Sequence, residues 1–308
     1  MTGIGQLRTE DVTAVIPTTG RASLPRAVRS VLDQTSPVGE VIVCNDGTRP
    51  LPMFADARVR VVEVGPRAGG NTARMAGVRA ARTPLVALLD DDDRWLPGFG
   101  AALLEHVAPL GAEEAWVAGC RILREDGSVY PKRLKTPDED LLGYAFRLRR
   151  SGGKGALPTS TLLFPRRLAL EVPWRTDLRF HQDLTWLIDL YRAHPHLRVA
   201  QAPAALVEMD DSPGSITKSI DVGASMRWAE AELLESFGRR REYGDFLLSR
   251  YPLRTAVDAR RWGQALGVVS RGVVRGRPGL PAVAYALAYA VRSGLRGAET
   301  GRGNARTT

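Results

Sequence analysis

The chain is poor in cysteine and has no long apolar run, and both absences limit the class of protein. Its 308 residues include two cysteines, Cys44 and Cys120, each inside an apolar stretch, so we expect no disulfide framework. The longest apolar run, 280–291, is well short of the roughly 20 residues that a membrane-spanning helix needs. The first residues, MTGIGQLRTEDVT, lack the apolar centre of a secretion signal. We therefore expect a cytoplasmic protein with no segment that crosses a membrane.

Several motifs of common enzyme classes are also absent. No G-x-G-x-x-G joins a strand to a helix and no G-x-x-x-x-G-K-[ST] occurs, which argues against dinucleotide oxidoreductases and P-loop NTPases. The four histidines and two cysteines show no zinc-ligand spacing, and no G-x-S-x-G marks a serine hydrolase. The composition, with 44% hydrophobic and 25% charged residues, excludes a disordered or coiled-coil chain. The chain is therefore globular, and its chemistry depends on other groups.

Short apolar runs alternate with amphipathic helices over the first half of the chain. Strands are predicted at 12–17, 41–44, 59–64, 85–89, 116–123 and 160–164, and the intervening helical patterns begin near Ser23 and Gly69. This alternation indicates an α/β fold with a largely parallel sheet between helices. Beyond about Ser219 the pattern is helical. We predict a catalytic domain over residues 1–218, a helical region over 219–300 and a disordered tail over 301–308.

The most specific feature is PLVALLDDDDRW, an apolar strand that ends in the aspartates Asp90–Asp93. Ligands of open α/β sheets bind beyond the carboxyl ends of the strands. Four adjacent carboxylates repel one another, and a divalent cation relieves that repulsion. Mg²⁺ or Mn²⁺ takes one or two protein carboxylates and completes its shell with phosphates and water, which fits a diphosphate-bearing substrate. The alternative is a solvated acidic loop at the start of a helix.

Two other aspartates fit either a functional contact or a local turn. Asp46 follows the apolar strand EVIVC, although Asn-Asp-Gly is also an ordinary turn sequence. Asp183, in FHQDLTW, precedes an amphipathic helix and on its own fits a helix cap. His181 is an alternative base two residues earlier, since imidazole accepts protons near neutral pH.

The order of these segments resembles the nucleotide-sugar-dependent glycosyltransferases of family 2. The segments are VTAVIPTTGR, EVIVCNDGT, GGNTARMAGVRAARTPLVALLDDDDRW and HQDLTW, and the resemblance covers residues 11–217. It implies the GT-A fold, Rossmann-like with a mostly parallel sheet flanked by helices, here with a C-terminal helical extension. It further implies an inverting transfer from a nucleoside diphosphate sugar, with UDP the usual nucleotide and Mg²⁺ or Mn²⁺ as cofactor. By this resemblance the nucleotide-binding residues are Pro17, Thr18, Thr19, Asp46, Asp90 and Asp91.

The same resemblance assigns the metal and the catalytic base. Asp92 is the metal ligand of the DxD region, and Asp183 is the base that accepts the proton of an acceptor hydroxyl. The sequence departs from the family where Thr19-Gly20 replaces Tyr-Asn after the first strand, and where Gln182 replaces the usual glutamate. The loop SPGSITKS, residues 212–219, resembles the family's loop near the diphosphate.

Two other functions share parts of this pattern. A nucleotidyltransferase of similar fold needs a glycine-rich basic loop after the first strand, and TTGRASLP has one glycine. A non-catalytic membrane or nucleic-acid binding module would tolerate substitution of both Asp92 and Asp183. Arg67 and Arg74 flank the Gly69-Gly70 loop, and either contributes positive charge at the site or lies on a helix surface.

Positive charge is concentrated near the C-terminus. Of the formal net charge of +9, residues 222–308 account for +8, from fifteen arginines and seven acidic residues. The apolar centre of GLPAVAYALAYAVRSGLRG is flanked by arginines, which predicts peripheral contact with the inner face of an anionic membrane. The alternatives are a solvated basic face and a helix packed on the catalytic domain. We expect no nucleic-acid partner.

Overall fold

The computed structural model of the chain has two units. It describes residues 7–110, 114–150, 153–210 and 221–304, with side chains as far as Ser293. One unit comprises residues 1–141 and 156–211, and the other comprises 142–155 and 212–308. The division at 211 is close to the predicted boundary after 218, but segment 142–155 joins the C-terminal unit, which the sequence does not predict. The loop 212–219 lies outside the described residues.

The N-terminal unit is built around one mixed β-sheet. In the described residues its strands are β1 (Val12–Thr18), β2 (Glu40–Asn45), β3 (Val59–Glu63), β4 (Leu85–Leu88), β5 (Arg94–Trp95), β6 (Trp116–Leu123), β7 (Val129–Tyr130), β8 (Leu163–Pro165) and β9 (Arg198–Glu208). Their order is β3-β2-β1-β4-β8-β6-β9-β5, and β7 pairs with β6. The first four strands in this order are parallel, and β6 is parallel to β9. Strand β8 is antiparallel to its neighbours β4 and β6, and β5 is antiparallel to β9.

Two parts of the sheet differ from the predicted pattern. The strand predicted at 160–164 is a 3₁₀ turn, Thr159–Thr161, followed by β8. Strand β9 has no counterpart in the prediction, because its sequence RVAQAPAALVE contains a proline and lacks regular alternation. Its register with β6 shifts at two places, which allows the strand to bend around these residues.

Helices cover the sheet through narrow apolar faces. They are α1 (Leu24–Leu32), α2 (Gly70–Ala80), α3 (Phe99–Val107), α5 (Arg166–Glu171) and α6 (Gln182–Ala193). Helix α4 (Leu141–Phe146) falls, apart from its first residue, in the segment that belongs to the C-terminal unit. The buried face of α1 follows helical spacing, with Leu24, Ala27, Val28 and Val31 inside. Gly77 lets α2 lie close to the sheet, since a Cβ there would be 2.3 Å from Val15 Cγ1. These contacts fix α2 above the strands β1 and β2.

The C-terminal unit is helical in its described part beyond residue 220, as the sequence predicts. Its elements are α7 (Val222–Ala229), a π-helical segment (Glu230–Glu235), α8 (Arg240–Ser249), α9 (Tyr251–Asp258), α10 (Trp262–Val274) and α11 (Leu280–Asn304). Phe146, Trp228 and Phe246 form its aromatic centre, with ring centroids 5.3 to 6.3 Å apart. Helix α11 includes the first four residues of the predicted disordered tail, and residues 305–308 lie outside the described part.

Two further observations concern the thiols and the helices. Cys44 and Cys120 are free thiols inside the core of the N-terminal unit, and burial raises the pKa of each to about 12. Within the described ranges, every helix is too short or too polar to span a bilayer.

A lysine of the C-terminal unit is held where its charge is unfavourable. The Lys154 ammonium donates to the carbonyl of Ser249 and lies 4.5 Å from the centre of the Tyr285 ring. Burial, followed by the charges of Arg250 and Arg254, lowers the pKa of Lys154 from 10.5 to about 6. The folded protein therefore holds this side chain uncharged at neutral pH, whereas the unfolded chain binds the proton.

Replacement of this lysine should change how stability depends on pH. Between pH 10.5 and 6 the unfolded state binds more protons, so the Lys154 contribution destabilises the fold increasingly as pH falls. Lys154→Met should therefore be more stable than the wild type by at least about 1 kcal/mol at pH 6, with the difference shrinking toward pH 10. Urea unfolding at several pH values measures this difference. A constant difference between the two proteins across that range would contradict the assignment.

Candidate active site

The ends of three parallel strands bring the predicted site residues to one edge of the sheet. Strands β1, β2 and β4 are buried along their whole length and run in the same direction, so their carboxyl ends meet there. Thr18 ends β1, Asp46 follows β2, and Asp90–Asp93 follow β4. Pro17 lies inside β1 opposite Cys44, whereas Thr19 is exposed just beyond the strand.

The four aspartates after β4 fall into two pairs of different exposure. The side chains of Asp90 and Asp92 are 34% and 36% exposed, so both remain open to a ligand. Asp91 and Asp93 are buried. Asp91 Oδ2 accepts from Thr18 Oγ1 at 2.5 Å, and Asp93 Oδ2 accepts from the Ser160 hydroxyl at 2.5 Å. The buried pair thus anchors the loop, and the exposed pair faces solvent.

Crowding and burial make it costly to ionise this cluster. Burial raises the pKa of Asp91, and the Thr18 hydrogen bond and the Arg21 charge only partly oppose this effect. Burial and then the charge of Asp90 raise the pKa of Asp92. Burial, again with Asp90, raises the pKa of Asp93 to about 8. Additional positive charge at this edge of the sheet would therefore stabilise the ionised cluster.

Two arginines supply part of that positive charge. The exposed Arg21 forms ion pairs with Asp92 and, at 3.3 Å, with Asp91. The buried Arg74, on α2, forms an ion pair with Asp90 at 2.6 Å. The neighbouring carboxylates keep the pKa of Arg74 above its ordinary value, although burial acts in the opposite direction. Of these two arginines, Arg21 is the one whose exposure allows it to move when a ligand binds.

Arg74 also connects the aspartate cluster to helix α6. Its Nη1 atom donates to the side-chain oxygens of Asn71, at 3.2 Å, and of Gln182, at 3.3 Å. Asp183 lies close enough that its charge, together with that of Asp90, raises the pKa of Arg74. One guanidinium group therefore lies between the strand-end carboxylates and the carboxylate predicted to be the base.

Asp183 lies in the first turn of α6, as the helix-cap interpretation also expects. Burial raises the pKa of this carboxyl group, while Arg74 and hydrogen bonds from Thr159 lower it in part. His181 precedes the helix with a left-handed φ of 59°, and its carbonyl accepts from both the amide and the hydroxyl of Thr185. The carboxylate of Asp183 therefore shares its surroundings with Asp90 and Arg74, and the His181 ring beside it is buried.

Asp46 has a local role that the sequence does not reveal. Its two carboxylate oxygens accept from the backbone amides of Ala68, at 2.6 Å, and Gly69, at 2.8 Å. Its own amide donates to the carbonyl of Thr18 at 2.7 Å. Asp46 thus ties the end of β1 to the loop that leads into α2, in addition to the local turn in which the Gly47 amide donates to Asn45 Oδ1 at 3.0 Å.

A cleft of about 500 Å³ opens beside this loop. It is lined by residues 19–22, 24, 25 and 48–52, which follow the ends of β1 and β2. Thr19 and Gly20 form one wall, so the departure from the family's Tyr-Asn sequence lies in this cleft.

Four contributing residues were not assigned from the sequence. The sequence does not decide whether Arg74 lies at the site or on a helix surface. No sequence motif marks Arg21, Ser160 or Thr159 as site residues. Periodicity does not show which face of the Ala-rich helix α2 is buried. The hydroxyls of Ser160 and Thr159 reach the aspartates because β8, which follows these residues, pairs antiparallel with β4. A buried arginine sixteen residues before an acidic strand end is recognisable only once α2 packs on β1.

Removal of the shared guanidinium should destabilise the N-terminal unit. Arg74→Met leaves Asp90 without its ion-pair partner. Loss of one member of a fully buried pair costs about 3–5 kcal/mol. Because Asp90 is 34% exposed and solvent screens its charge, we expect a smaller loss of about 1–2 kcal/mol. The exposed Arg79, on the same helix, provides the control, and Arg79→Met should change stability by less than about 0.5 kcal/mol. Urea unfolding measures both variants. Equal free energies of unfolding for the two variants would show that the ion pair does not stabilise the N-terminal unit.

Comparison with known proteins identifies the family of this chain. The family model described as glycosyl transferase family 2 matches residues 13–170. TuaG of Bacillus subtilis (strain 168), a glycosyltransferase named for teichuronic acid biosynthesis, is 28% identical over 52% of this chain and 64% of its own length. The succinoglycan biosynthesis protein ExoO of Rhizobium meliloti (strain 1021) is 34% identical over 34% of this chain and 32% of its own. Both matches thus span less than two thirds of the relative.

Solved structures confirm the predicted fold. The crystal structure of S. aureus TarS 1–349 in complex with UDP-GlcNAc has a TM-score of 0.58 and 14% identity, and the match covers 92% of this chain and 88% of that one. The complex of the same TarS fragment with UDP has a TM-score of 0.55 and 16% identity over the same shares of the chains. The architecture is therefore the GT-A fold with a C-terminal helical region. Because the family model spans half of the chain and includes the strand-end aspartates, the protein belongs to glycosyl transferase family 2.

Proposed function

We propose that this protein is an inverting glycosyltransferase that moves a sugar from a UDP-sugar to an acceptor hydroxyl. The observation that carries the proposal is the position of Arg74, which pairs with Asp90 of the strand-end cluster and lies beside Asp183 on α6. A sugar donor bound at the cluster would therefore have a partly buried carboxylate near its reacting carbon. A catalytic carboxylate with a raised pKa is suited to accept a proton.

The donor nucleotide is proposed to bind at the ends of β1 and β2. The cleft lined by residues 19–22 and 48–52 provides the space for a nucleobase, with Thr19 at its wall. Asp46 keeps free acceptor capacity on its carboxylate after binding the two loop amides, since each oxygen has two lone pairs. We propose that this capacity receives the N–H of uracil, and that Thr18, Asp90 and Asp91 lie along the ribose. The UDP and UDP-GlcNAc complexes of the TarS relative support the choice of nucleotide.

The exposed pair of aspartates fits a divalent cation. Within the described residues no three carboxylate, histidine or cysteine groups converge on one point, so the protein alone does not form a full ligand set. Mg²⁺ needs only one or two protein carboxylates when a diphosphate supplies the other oxygens. Asp92 is partly exposed, and burial followed by the charge of Asp90 raises its pKa, so a cation there is favoured electrostatically. We propose Asp92 as the ligand of Mg²⁺ or Mn²⁺, with Arg21 moving aside.

The proposed reaction is a single displacement at the anomeric carbon. Asp183 accepts the proton of the acceptor hydroxyl while the hydroxyl oxygen attacks from the face opposite the diphosphate. The bond between the anomeric carbon and the diphosphate oxygen breaks as the new glycosidic bond forms, so the configuration inverts. Arg74 keeps Asp183 and Asp90 in fixed positions and stabilises negative charge on both. A cation bound at Asp92 supplies Lewis-acid stabilisation of the departing diphosphate.

The acceptor and the cellular setting are proposed from the relatives and the thiols. Two relatives are named for teichuronic acid and succinoglycan biosynthesis, so we propose a glycan or a lipid-linked glycan as acceptor. Both cysteines are free and buried, which fits a reducing cytoplasm. We propose that the enzyme works there as a peripheral protein at the inner face of the membrane.

Nucleotide binding should depend on metal through Asp92. UDP titrated calorimetrically in the presence of Mn²⁺ should bind the wild type, and a chelator should weaken binding. Asp92→Ala should weaken UDP binding in Mn²⁺ at least about tenfold, which corresponds to about 1.4 kcal/mol. Asp177→Ala is the control, because the Asp177 side chain is exposed and forms no ion pair with a described residue. UDP affinity that is equal with and without metal would contradict the role of Asp92.

Turnover should depend on the carboxylate of Asp183. Asp183→Asn keeps the size of the side chain and removes its basicity, and should lower turnover at least about a hundredfold. UDP affinity should stay within a few-fold of the wild type, because the proposed base does not contact the nucleotide. Donor turnover is measured with a panel of UDP-sugars, and the initial rates of Asp177→Asn provide the control.

A parallel variant separates the two candidate bases. His181→Ala should retain most turnover, since the carbonyl of residue 181 that accepts from the Thr185 hydroxyl is kept in the variant. If Asp183→Asn keeps its turnover and His181→Ala loses it, then the histidine is the base and the assignment of Asp183 is wrong.

A further inference from the structure

The C-terminal unit contains a long stretch with one sign of charge. Residues 260–293 include six arginines and no aspartate or glutamate. Arg271 and Arg275 form ion pairs with Glu230, an acidic residue outside the stretch. The other four are exposed and form no ion pair with any described residue: Arg260, Arg261, Arg277 and Arg292. This region therefore carries uncompensated positive charge at its surface.

Helix α10 combines this charge with an exposed apolar stripe. Trp262, Leu266, Val273 and Val274 are 45%, 71%, 51% and 71% exposed. The first three are spaced by four and seven residues, so they lie along one face of the helix. The opposite face, which includes Ala265 and Val268, is buried, and α10 packs against α8 and α9. The exposed stripe is thus the side that no element of this unit covers.

Helix α11 repeats the arrangement. Leu280, Leu287 and Val291 are 76%, 65% and 62% exposed and are spaced by seven and four residues. Ala282 and Ala286 are buried, and this helix also packs against α8 and α9. Seven of the eleven large exposed hydrophobic side chains in the described part of the chain lie on these two helices. Such a concentration differs from the scattered exposed apolar residues of an ordinary protein surface.

We propose that the exposed faces of α10 and α11 form a docking surface for an anionic lipid bilayer. The proposal rests on the membrane-peripheral setting proposed above and names the residues and the lipid chemistry. Leucine, valine and tryptophan side chains enter the boundary between headgroups and acyl chains, as in interfacial amphipathic helices. The unpaired arginines bind lipid phosphates, for which the planar guanidinium fork is suited.

Charge favours a bilayer over a second copy of this chain. A symmetric dimer through these faces would bring two sets of unpaired arginines together, with no acidic residue of the stretch to compensate them. An anionic membrane provides the opposite charge and an apolar layer at the same place. The helices bind along the surface, since neither α10 nor the described part of α11 is apolar and long enough to cross a bilayer.

Vesicle flotation of the full chain tests this surface. The wild type should float with vesicles of phosphatidylglycerol and phosphatidylcholine, should stay behind with phosphatidylcholine alone, and should bind less at high ionic strength. The double variant Leu266→Ser, Leu287→Ser should bind at least about tenfold more weakly, because one exposed apolar anchor is lost from each helix. Leu170→Ser, on α5 and 42% exposed, is the matched control and should bind as the wild type.

Three results would overturn the docking surface. The first is that the double variant binds anionic vesicles as tightly as the wild type. The second is that the wild type binds neutral vesicles as tightly as anionic ones. The third is that light scattering shows a dimer for the wild type and a monomer for the double variant. Calorimetry with UDP on the same samples shows whether the variants are folded. Failure to bind vesicles in a protein that binds UDP rejects this surface alone and leaves the transferase proposal standing.

Discussion

The candidate active site depends on one ion pair, between the buried Arg74 on α2 and the partly exposed Asp90 after β4. The pair places a full positive charge where a strand end, a helix and the start of α6 meet. A buried guanidinium is costly unless several carboxylates share it, and here Asp90 and Asp183 both do so. The close packing of α2 on β1 at Gly77 holds the arginine at this position.

The remaining charges follow from this arrangement. Four consecutive aspartates are tolerated because two are buried against hydroxyl groups and two are partly exposed. The cluster remains under-compensated, since Arg21 and Arg74 provide two positive charges for four aspartates. Such a site gains most from a ligand that contributes positive charge together with phosphate oxygens. A metal–diphosphate complex has both, so the electrostatics of the cluster favour the nucleoside diphosphate sugar proposed as donor.

Much of this was predictable because the information is local. An apolar strand followed by acidic residues specifies both a buried strand and a polar strand end, so Asp90–Asp92 were placed correctly at the sheet edge. The parallel strands β1, β2 and β4 followed from apolar runs between helical patterns. The resemblance to family 2, confirmed by the family model, directed attention to Asp183, which its local sequence describes equally well as a helix cap.

The unpredicted parts depend on contacts between distant segments. The sequence leaves Asp46 between a turn and a base contact, and it does not show that the Asp46 carboxylate also accepts from amides 22 and 23 residues later. Segment 142–155 joins the C-terminal unit through contacts such as the Leu148 amide with the Asp245 carboxylate, and no local pattern encodes that choice. Strand β9 pairs with β6 despite an irregular sequence, because tertiary pairing overrides weak strand propensity.

We propose that Arg74 couples the carboxylates proposed to bind the donor to Asp183, the carboxylate proposed as the base. The most direct test is the pKa of Asp183, measured by carboxyl ¹³C NMR in the wild type, Arg74→Met and Arg79→Met, with Asp183→Asn used to assign the signal. Because the Arg74 charge lowers the pKa of Asp183, this account predicts a higher pKa in Arg74→Met and the wild-type value in Arg79→Met. An Asp183 pKa that is the same in all three folded proteins would contradict the coupling.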